Sequence, residues 1–401
     1  MRPRRSAPAA AGALLATLLA LTSCGGPAER EAGDRRAGCI RDFSPDQDYF
    51  PVKSKVTHAT NFTLRYEKSY QVLTVRQPYP KAAPESYVLV RCGAPKPRLT
   101  GELAKAQQIT VPVRSLYSAS TTQLPLLTET GAAGVLTGVA DGAYVVSPDI
   151  RRRIDAGRVG QYARGGGIAT EKVIGARPDV LVSAGYDDPQ YPKLRRAGIP
   201  VVSDAEWLES TPLGRAEWIK AMAALTGSER RANQVFDGVV TGYTRAARAA
   251  AGYGAPVKVL SGSMYEGTWF MAAGGSYVGR LIRDAGGTYP WAGRTGTGSL
   301  QLSFETVYAK GGDARIWLTD QTWRTTADAK AAHSGFGRLA AVTDGEVWTN
   351  TKALGPGGGN DFYQRGVLHP DLVLADLTAI LHPDRSPGQH RFTFYRKVSR
   401  G

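Results

Sequence analysis

Between residues 211 and 251 the apolar positions fall at helical spacing and predict two consecutive helices. Trp218, Met222 and Leu225 stand at i, i+4 and i+7, and Gly227 then reads as a stop. Ser228 can cap the next helix, whose apolar face is Ala232, Val235, Phe236, Val239, Val240, Tyr243 and Ala247. That helix, 228–251, spans about 36 Å. Gly238 and Gly242 each cost it about 1 kcal/mol, so packing has to supply its stability. Blocks of similar α/β pattern lie on either side. The helix is therefore expected to be a spine between two lobes; the alternative is a surface helix of one large domain.

The blocks themselves alternate strand and helix signals. Residues 62–75 alternate Phe62, Leu64 and Tyr66 with Thr63, Arg65 and Glu67, and 87–90 form another short strand. A small β appendage over 39–100 is expected from these, with a turn-rich hinge at 93–101. The first lobe, 101–227, reads as short βα units in series: strands near 111–113, 134–139, 180–182 and 199–202, and helices near 121–130, 171–176 and 193–197. After the spine the pattern restarts over 252–384, with strands at 257–260, 269–271, 316–318 and 347–348. Ser276 caps one helix there, and His369-Pro370-Asp371 opens the last. Units of this kind imply parallel sheets with right-handed crossovers. Residues 385–401 are left as a tail. One internal echo stands out: Glu171 precedes Asp179 as Glu305 precedes Asp313, each pair at a helix start leading to a buried strand.

Composition changes the picture mainly at the N-terminus. At 401 residues, 42% hydrophobic and 21% charged, the chain is long enough for two lobes with a good core. Arg2, Arg4 and Arg5 precede a 13-residue apolar run from Ala9 to Leu21, too short to span a bilayer comfortably. The run ends in Leu21-Thr22-Ser23-Cys24-Gly25, similar to a bacterial lipobox. A signal peptide over 1–23, lipidation of Cys24 and a polar tether over 24–38 are expected; a plain secretory signal is the alternative. Two other cysteines remain, Cys39 and Cys92, and in an exported protein that pair suggests one disulfide, with unpaired buried thiols as the alternative. The net charge of +15 comes from scattered basic residues. No basic helix interleaved with aromatics is present, which argues against nucleic acid.

Familiar chemical motifs are missing: there is no Walker loop, no G-x-S-x-G elbow, no H-E-x-x-H and no C-x-x-C. The histidines (His58, His333, His369, His382, His390) show no metal-like spacing. No metal site, cofactor or catalytic residue is expected. The glycine-rich run 355–360 reads as a mobile loop beside a cleft, with anion binding by its N–H groups a weaker option. Aromatics near strand ends are the better clue, since ligands of α/β sheets bind outside the strands' carboxyl ends. Tyr117, Tyr186, Trp207, Tyr265, Trp269, Trp291, Trp323 and Tyr363 form the candidate ligand-binding set. Their broad faces and polar tips favour a bulky ligand.

The stretch from Gly167 to Val182, G-I-A-T-E-K-V-I-G-A-R-P-D-V-L-V, resembles a block of the substrate-binding lipoproteins of ABC importers for ferric siderophores, haem and cobalamin. Pro212-Leu213-Gly214, residues 272–287 and residues 369–384 are similar to that family too; Ala169-Thr170 and Ala176 depart from its usual Asn and Leu. The resemblance implies an α/β fold of two lobes with mainly parallel sheets joined by one long backbone helix, class III periplasmic-binding-protein-like, with the β appendage as an addition. It implies a monomeric receptor, not an enzyme, that holds a ferric siderophore between its lobes; cobalamin, haem or a metal ion are alternatives. It also implies a permease partner docked by Glu171 and Glu305. An exported enzyme or a cell-surface interaction protein on the same scaffold is the reading from another class.

Overall fold

The strands and helices assemble as two lobes around a central helix in a computed structural model that describes residues 38–164, 167–385 and 390–400. The expected signal segment, Cys24 and all but the last residue of the tether lie outside these residues. Cys39 and Cys92 are disulfide-bonded.

In the first lobe β1 (Phe62–Tyr66), β2 (Tyr70–Val75) and β3 (Glu85–Arg91) form an antiparallel meander, and β4 (Gln107–Val111) joins β3 in parallel. The alternation read from the sequence sends Phe62, Leu73, Tyr87 and Ile109 into the same core as the next sheet. Val72, Val88 and Val90 face the other way and are covered by Leu99 and Leu103. Residues 39–100 are thus built into the first lobe instead of hanging from it. Two carboxylates from the far side of the lobe fix them. Glu217, fully buried, accepts from the backbone N–H groups of Thr57, His58 and Ala59 at 2.6–3.0 Å and from Lys220 Nζ at 2.7 Å. Glu209 accepts from Thr60, Asn61 and the Trp218 indole.

The next elements are β5 (Leu116–Ser118), α1 (Leu124–Thr128), β6 (Leu136–Val139), α2 (Pro148–Asp155), β7 (Gly160–Gln161), β8 (Ala163–Arg164), β9 (Gly167–Ile168), α3 (Thr170–Ala176), β10 (Val180–Ser183), α4 (Tyr191–Arg196) and β11 (Val201–Ser203). Their parallel sheet has the order β11-β10-β5-β6-β7. Three helices then cross to the second lobe: α5 (Pro212–Ala216), α6 (Ile219–Thr226) and α7 (Glu229–Ala251). Gly227 ends α6 in the left-handed conformation at φ 69°, as its position after Leu225 requires.

The second lobe contains β12 (Val257–Ser261), β13 (Ser263–Tyr265), β14 (Thr268–Ala272), α8 (Tyr277–Asp284), β15 (Gly287–Thr288), β16 (Ser299–Leu302), α9 (Phe304–Gly311), β17 (Ile316–Thr319), α10 (Thr326–Ala332), α11 (Ala340–Asp344), β18 (Val347–Thr349), α12 (Asp361–Gln364), α13 (Pro370–Leu381) and β19 (Arg396–Lys397). Its main sheet runs β15-β12-β17-β18-β19, parallel except for β19. Matching β5 with β12, β6 with β15, β10 with β17 and β11 with β18 superposes the two strand orders. The tail is part of this lobe. Asp376 on α13, fully buried, accepts from the N–H groups of Thr393, Phe394 and Tyr395 at 2.7–3.1 Å and from His390 at 2.8 Å. Phe394, Tyr395 and Val398 are thereby drawn into the second core.

The helix α7 serves both cores: Ala232, Phe236 and Val239 are buried in the first, and Tyr243 in the second. Ser228 occupies its N-cap position, but the hydroxyl bonds Thr226 at 2.7 Å instead of capping an N–H. A second tie between lobes is ionic. His369, ahead of α13, lies 3.3 Å from Glu129, just past α1, and 3.5 Å from Asp371. Burial would lower the histidine pKa, but the bonds to Asp371 and Glu129 raise it to about 9. With an unfolded value near 6.5, its contribution is complete below pH ~6.5 and is lost as pH rises through about 9. H369Q is expected to remove on the order of 3 kcal/mol of stability near neutral pH. The urea midpoint should fall between pH 7 and 9.5 for the wild type and stay level for the variant; parallel slopes would refute this.

Candidate functional site

Each parallel sheet ends in a hollow at its carboxyl edge. In the first lobe the residues after β5 and β6 turn away from the strands, and Ser118, Ser120, Thr121, Asp141, Tyr144 and Ala163 line a cavity of about 520 Å³. In the second lobe the ends of β12 and β17 do the same. Ser263, Thr319 and Asp320, with Tyr265, Phe270 and Tyr363, line a cavity of about 450 Å³. Both volumes suit a compact organic ligand. The Ser263 hydroxyl bonds Thr319 Oγ1 at 2.8 Å and contacts the Asp320 carboxylate. Asp141 accepts from Ala143 N at 2.8 Å, holding the turn that carries Tyr144.

The glycine-rich run joins these two sites. Gly357 N donates to Ala143 O at 3.0 Å, and Val146 N donates to Gln364 Oε1 at 2.9 Å. A Cβ on Gly359 would sit 1.8 Å from Tyr144 O, and one on Gly357 2.7 Å from Ala143 Cβ. Only bare backbone fits at this approach. The run is therefore a clasp between lobes, not a loose loop. Its Gly357 N–H is spent on a carbonyl, which leaves the anion-cradle option without that donor. On the other side Asn360 Nδ2 reaches Asn350 Oδ1 at 3.1 Å, and Asn350 lines the second cavity. The run thus touches the turn that carries Tyr144 on one side and Asn350, in the wall of the second cavity, on the other.

The aromatic set divides by strand geometry. Tyr265 and Tyr363 line the second cavity. Tyr117 points to the opposite face of its sheet from Leu116 and Ser118, stacks on Tyr162 at 5.1 Å and is buried with Val173 and Leu181. Trp269 and Trp291 are buried in the second core, and Trp323 leans on Trp317 and Phe336. Tyr186 and Trp207 stack at 5.1 Å beyond the ends of β10 and β11, outside the first hollow, with the indole N–H on Ala184 O. Tyr144, Phe270, Phe362 and Tyr395 are the aromatic wall residues absent from the sequence set. Alternation along β14 would have found Phe270, because Trp269 and Met271 on either side are buried. Tyr144 follows a strand in the manner of the chosen residues. Tyr395 had no local signal.

Of the arginines near these sites, Arg365 pairs with Asp361 at 3.0 Å and lies over Phe394. Arg215 is buried, 2.5 Å from Glu206 and stacked on Tyr277 at 4.0 Å. Burial and the neighbouring Glu206 hold the Asp204 carboxyl well above its usual pKa. Glu171 and Glu305 are both exposed in the first turns of α3 and α9. Those helices precede the equivalent strands β10 and β17, so the two carboxylates hold matching places in the two lobes. Asp179 bonds the N–H groups of Arg114 and Ser115 ahead of β5, and Asp313 pairs with Lys258 at 2.5 Å in β12. The sequence echo is this repeated unit.

The profile described as periplasmic binding protein matches residues 115–354, from the first parallel strand to the start of the clasp. An uncharacterized lipoprotein of Methanocaldococcus jannaschii is 28% identical over 299 residues, which cover 72% of this chain and 70% of that protein. A periplasmic heme-binding protein from Pseudomonas aeruginosa has a similar structure, with a TM-score of 0.54 and 20% identity over 72% of this chain and 99% of its own. A molybdate periplasmic binding protein from Haemophilus influenzae gives a TM-score of 0.54 at 15% identity, covering 72% and 91% of the two chains. These structural likenesses extend the match in fold across both lobes and the helix between them. With the profile spanning more than half its length, the chain belongs to the periplasmic binding protein family.

Proposed function

We propose that the chain is the extracytoplasmic solute receptor of an ABC importer, anchored by lipid on Cys24 to the outer face of the cytoplasmic membrane. Its ligand is a ferric siderophore, held between the lobes and handed to the permease. The observation that carries this reading is the pair of hollows, one at the carboxyl edge of each parallel sheet, tied to each other by the clasp. Exposed rings on both sides, Tyr144 and Tyr265, suit a bulky ligand with an apolar rim. The continuous helix through both cores favours a small closing motion and a largely preformed cleft. Glu171 and Glu305, at matching exposed positions, are the docking carboxylates for basic residues of the permease.

The test separates binding from delivery. The E171R/E305R double variant is expected to retain saturable tryptophan quenching by a ferric siderophore, while uptake by cells falls at least about tenfold, the loss of ~1.4 kcal/mol or more in docking. Undiminished uptake with a folded, ligand-binding variant would remove the docking role.

A further inference from the structure

The chain carries +15 overall, yet the side chains described around the two hollows include no lysine, arginine or histidine. They do include two carboxylates. Asp320, exposed, is held by the Ser263 hydroxyl; Asp141, half-buried, is held by the N–H of Ala143. Neither forms an ion pair among the described residues. Of the nearby cations, Arg365 pairs with Asp361 and Arg215 with Glu206, while Arg151 and Arg396 turn to the carbonyl oxygens of Val145 and Thr322. The aromatic walls add to the same sign of field: Tyr144, Tyr265 and Phe270 are all at least a third exposed, and a ring face attracts cations. An anionic ligand entering this cleft would lose water and meet like charge on its walls. The same carboxylates attract a cation, and the attraction grows as water leaves the cleft.

We infer that the cleft selects metal chelates of net positive charge and rejects anionic ones, with Asp141 and Asp320 as the charge-specificity residues. The inference rests on the receptor reading above and narrows it to one ligand class. Trihydroxamate chelates of ferric iron that keep a free ammonium group have this chemistry. Chelates closed by catecholates or carboxylates, porphyrins with free carboxylates and oxyanions do not.

The test uses the full-length protein and three probes in tryptophan-quenching titrations: a linear ferric trihydroxamate with a free terminal ammonium, its N-acetylated neutral form, and an anionic ferric tris-catecholate. The ammonium form is expected to bind tightest, acetylation to weaken it about tenfold or more, and the catecholate to give no saturable signal. Raising the salt concentration should weaken the ammonium form and narrow the gap. In the D141N/D320N variant the ratio of ammonium to acetylated affinity should fall toward one. If the catecholate binds as tightly as the ammonium form, or the ratio survives in the double variant, the charge rule is overturned while the receptor reading stands. If none of the three binds, the siderophore reading falls, and the charge rule with it.

Discussion

Replacing Glu217 by alanine is expected to lower the unfolding free energy by about 4–5 kcal/mol, which places it among the most damaging single changes. The side chain is fully buried and satisfies three consecutive N–H groups, those of Thr57, His58 and Ala59, as well as the ammonium of Lys220. Removing it strands buried donors that each cost about 1–3 kcal/mol when unpaired. It also leaves Lys220 charged beneath Phe236, over whose ring it lies at 4.4 Å. Burial by itself would raise the Glu217 pKa, but Lys220 and the backbone donors hold it below the ordinary value. Its stabilisation is accordingly present above the unfolded carboxylate pKa and lost as pH falls through the lower folded one. E217Q keeps an acceptor and should cost about half as much as alanine. Adding K220M to E217A should recover only the charge part, because the backbone donors stay unmet. Urea melts of the four proteins decide the matter: a loss below ~1 kcal/mol for E217A would show that water replaces the carboxylate without penalty.

Arg215 is the second site of large effect. R215M is expected to cost about 3–5 kcal/mol, because Glu206 stays buried beside Asp204 without its counter-charge. The guanidinium also bridges lobes through its stacking on Tyr277, at the start of α8. Removing both charges is predicted to behave differently. R215M/E206M should return to within about 1 kcal/mol of the wild type, since apolar groups of similar size replace a buried pair with little loss. A double variant no more stable than R215M would mean that the arginine acts through Tyr277 and not through its charge. Chemical denaturation with tryptophan fluorescence reads both outcomes.

Much of this architecture is written in local pattern. The i, i+4, i+7 run of Trp218, Met222 and Leu225 ends at Gly227 in the structure as in the sequence, and the long helix beyond it closes at Ala251. The repeated Glu–Asp spacing marks equivalent units in the two lobes. Contacts made at long range left no such trace. Glu217 reads as one more charge on a helical stretch, although it holds a segment some 160 residues earlier. Asp376 equally gives no hint of the tail that it binds. The division of the aromatic set follows from sheet geometry: successive side chains point to opposite faces, so Trp269 is buried where Phe270 faces the cavity, and nearness to a strand end does not settle which way a ring points. The glycine-rich run reads as loose in the sequence because glycine serves flexibility and close approach equally well. Only its partner, Tyr144 O, tells the two apart.

Asp376 and the tail also carry a consequence for how the receptor comes into being. The wall of the second cavity includes Tyr395, and the N–H group of that residue is seated by a carboxylate on α13. A polypeptide is made from its N-terminus onward. The cavity therefore lacks a side until residues 393–395 have been made and seated on Asp376. Completion of the second cavity is in this sense a late event: the first lobe's strands and its own hollow are made before the residues that close the second one exist.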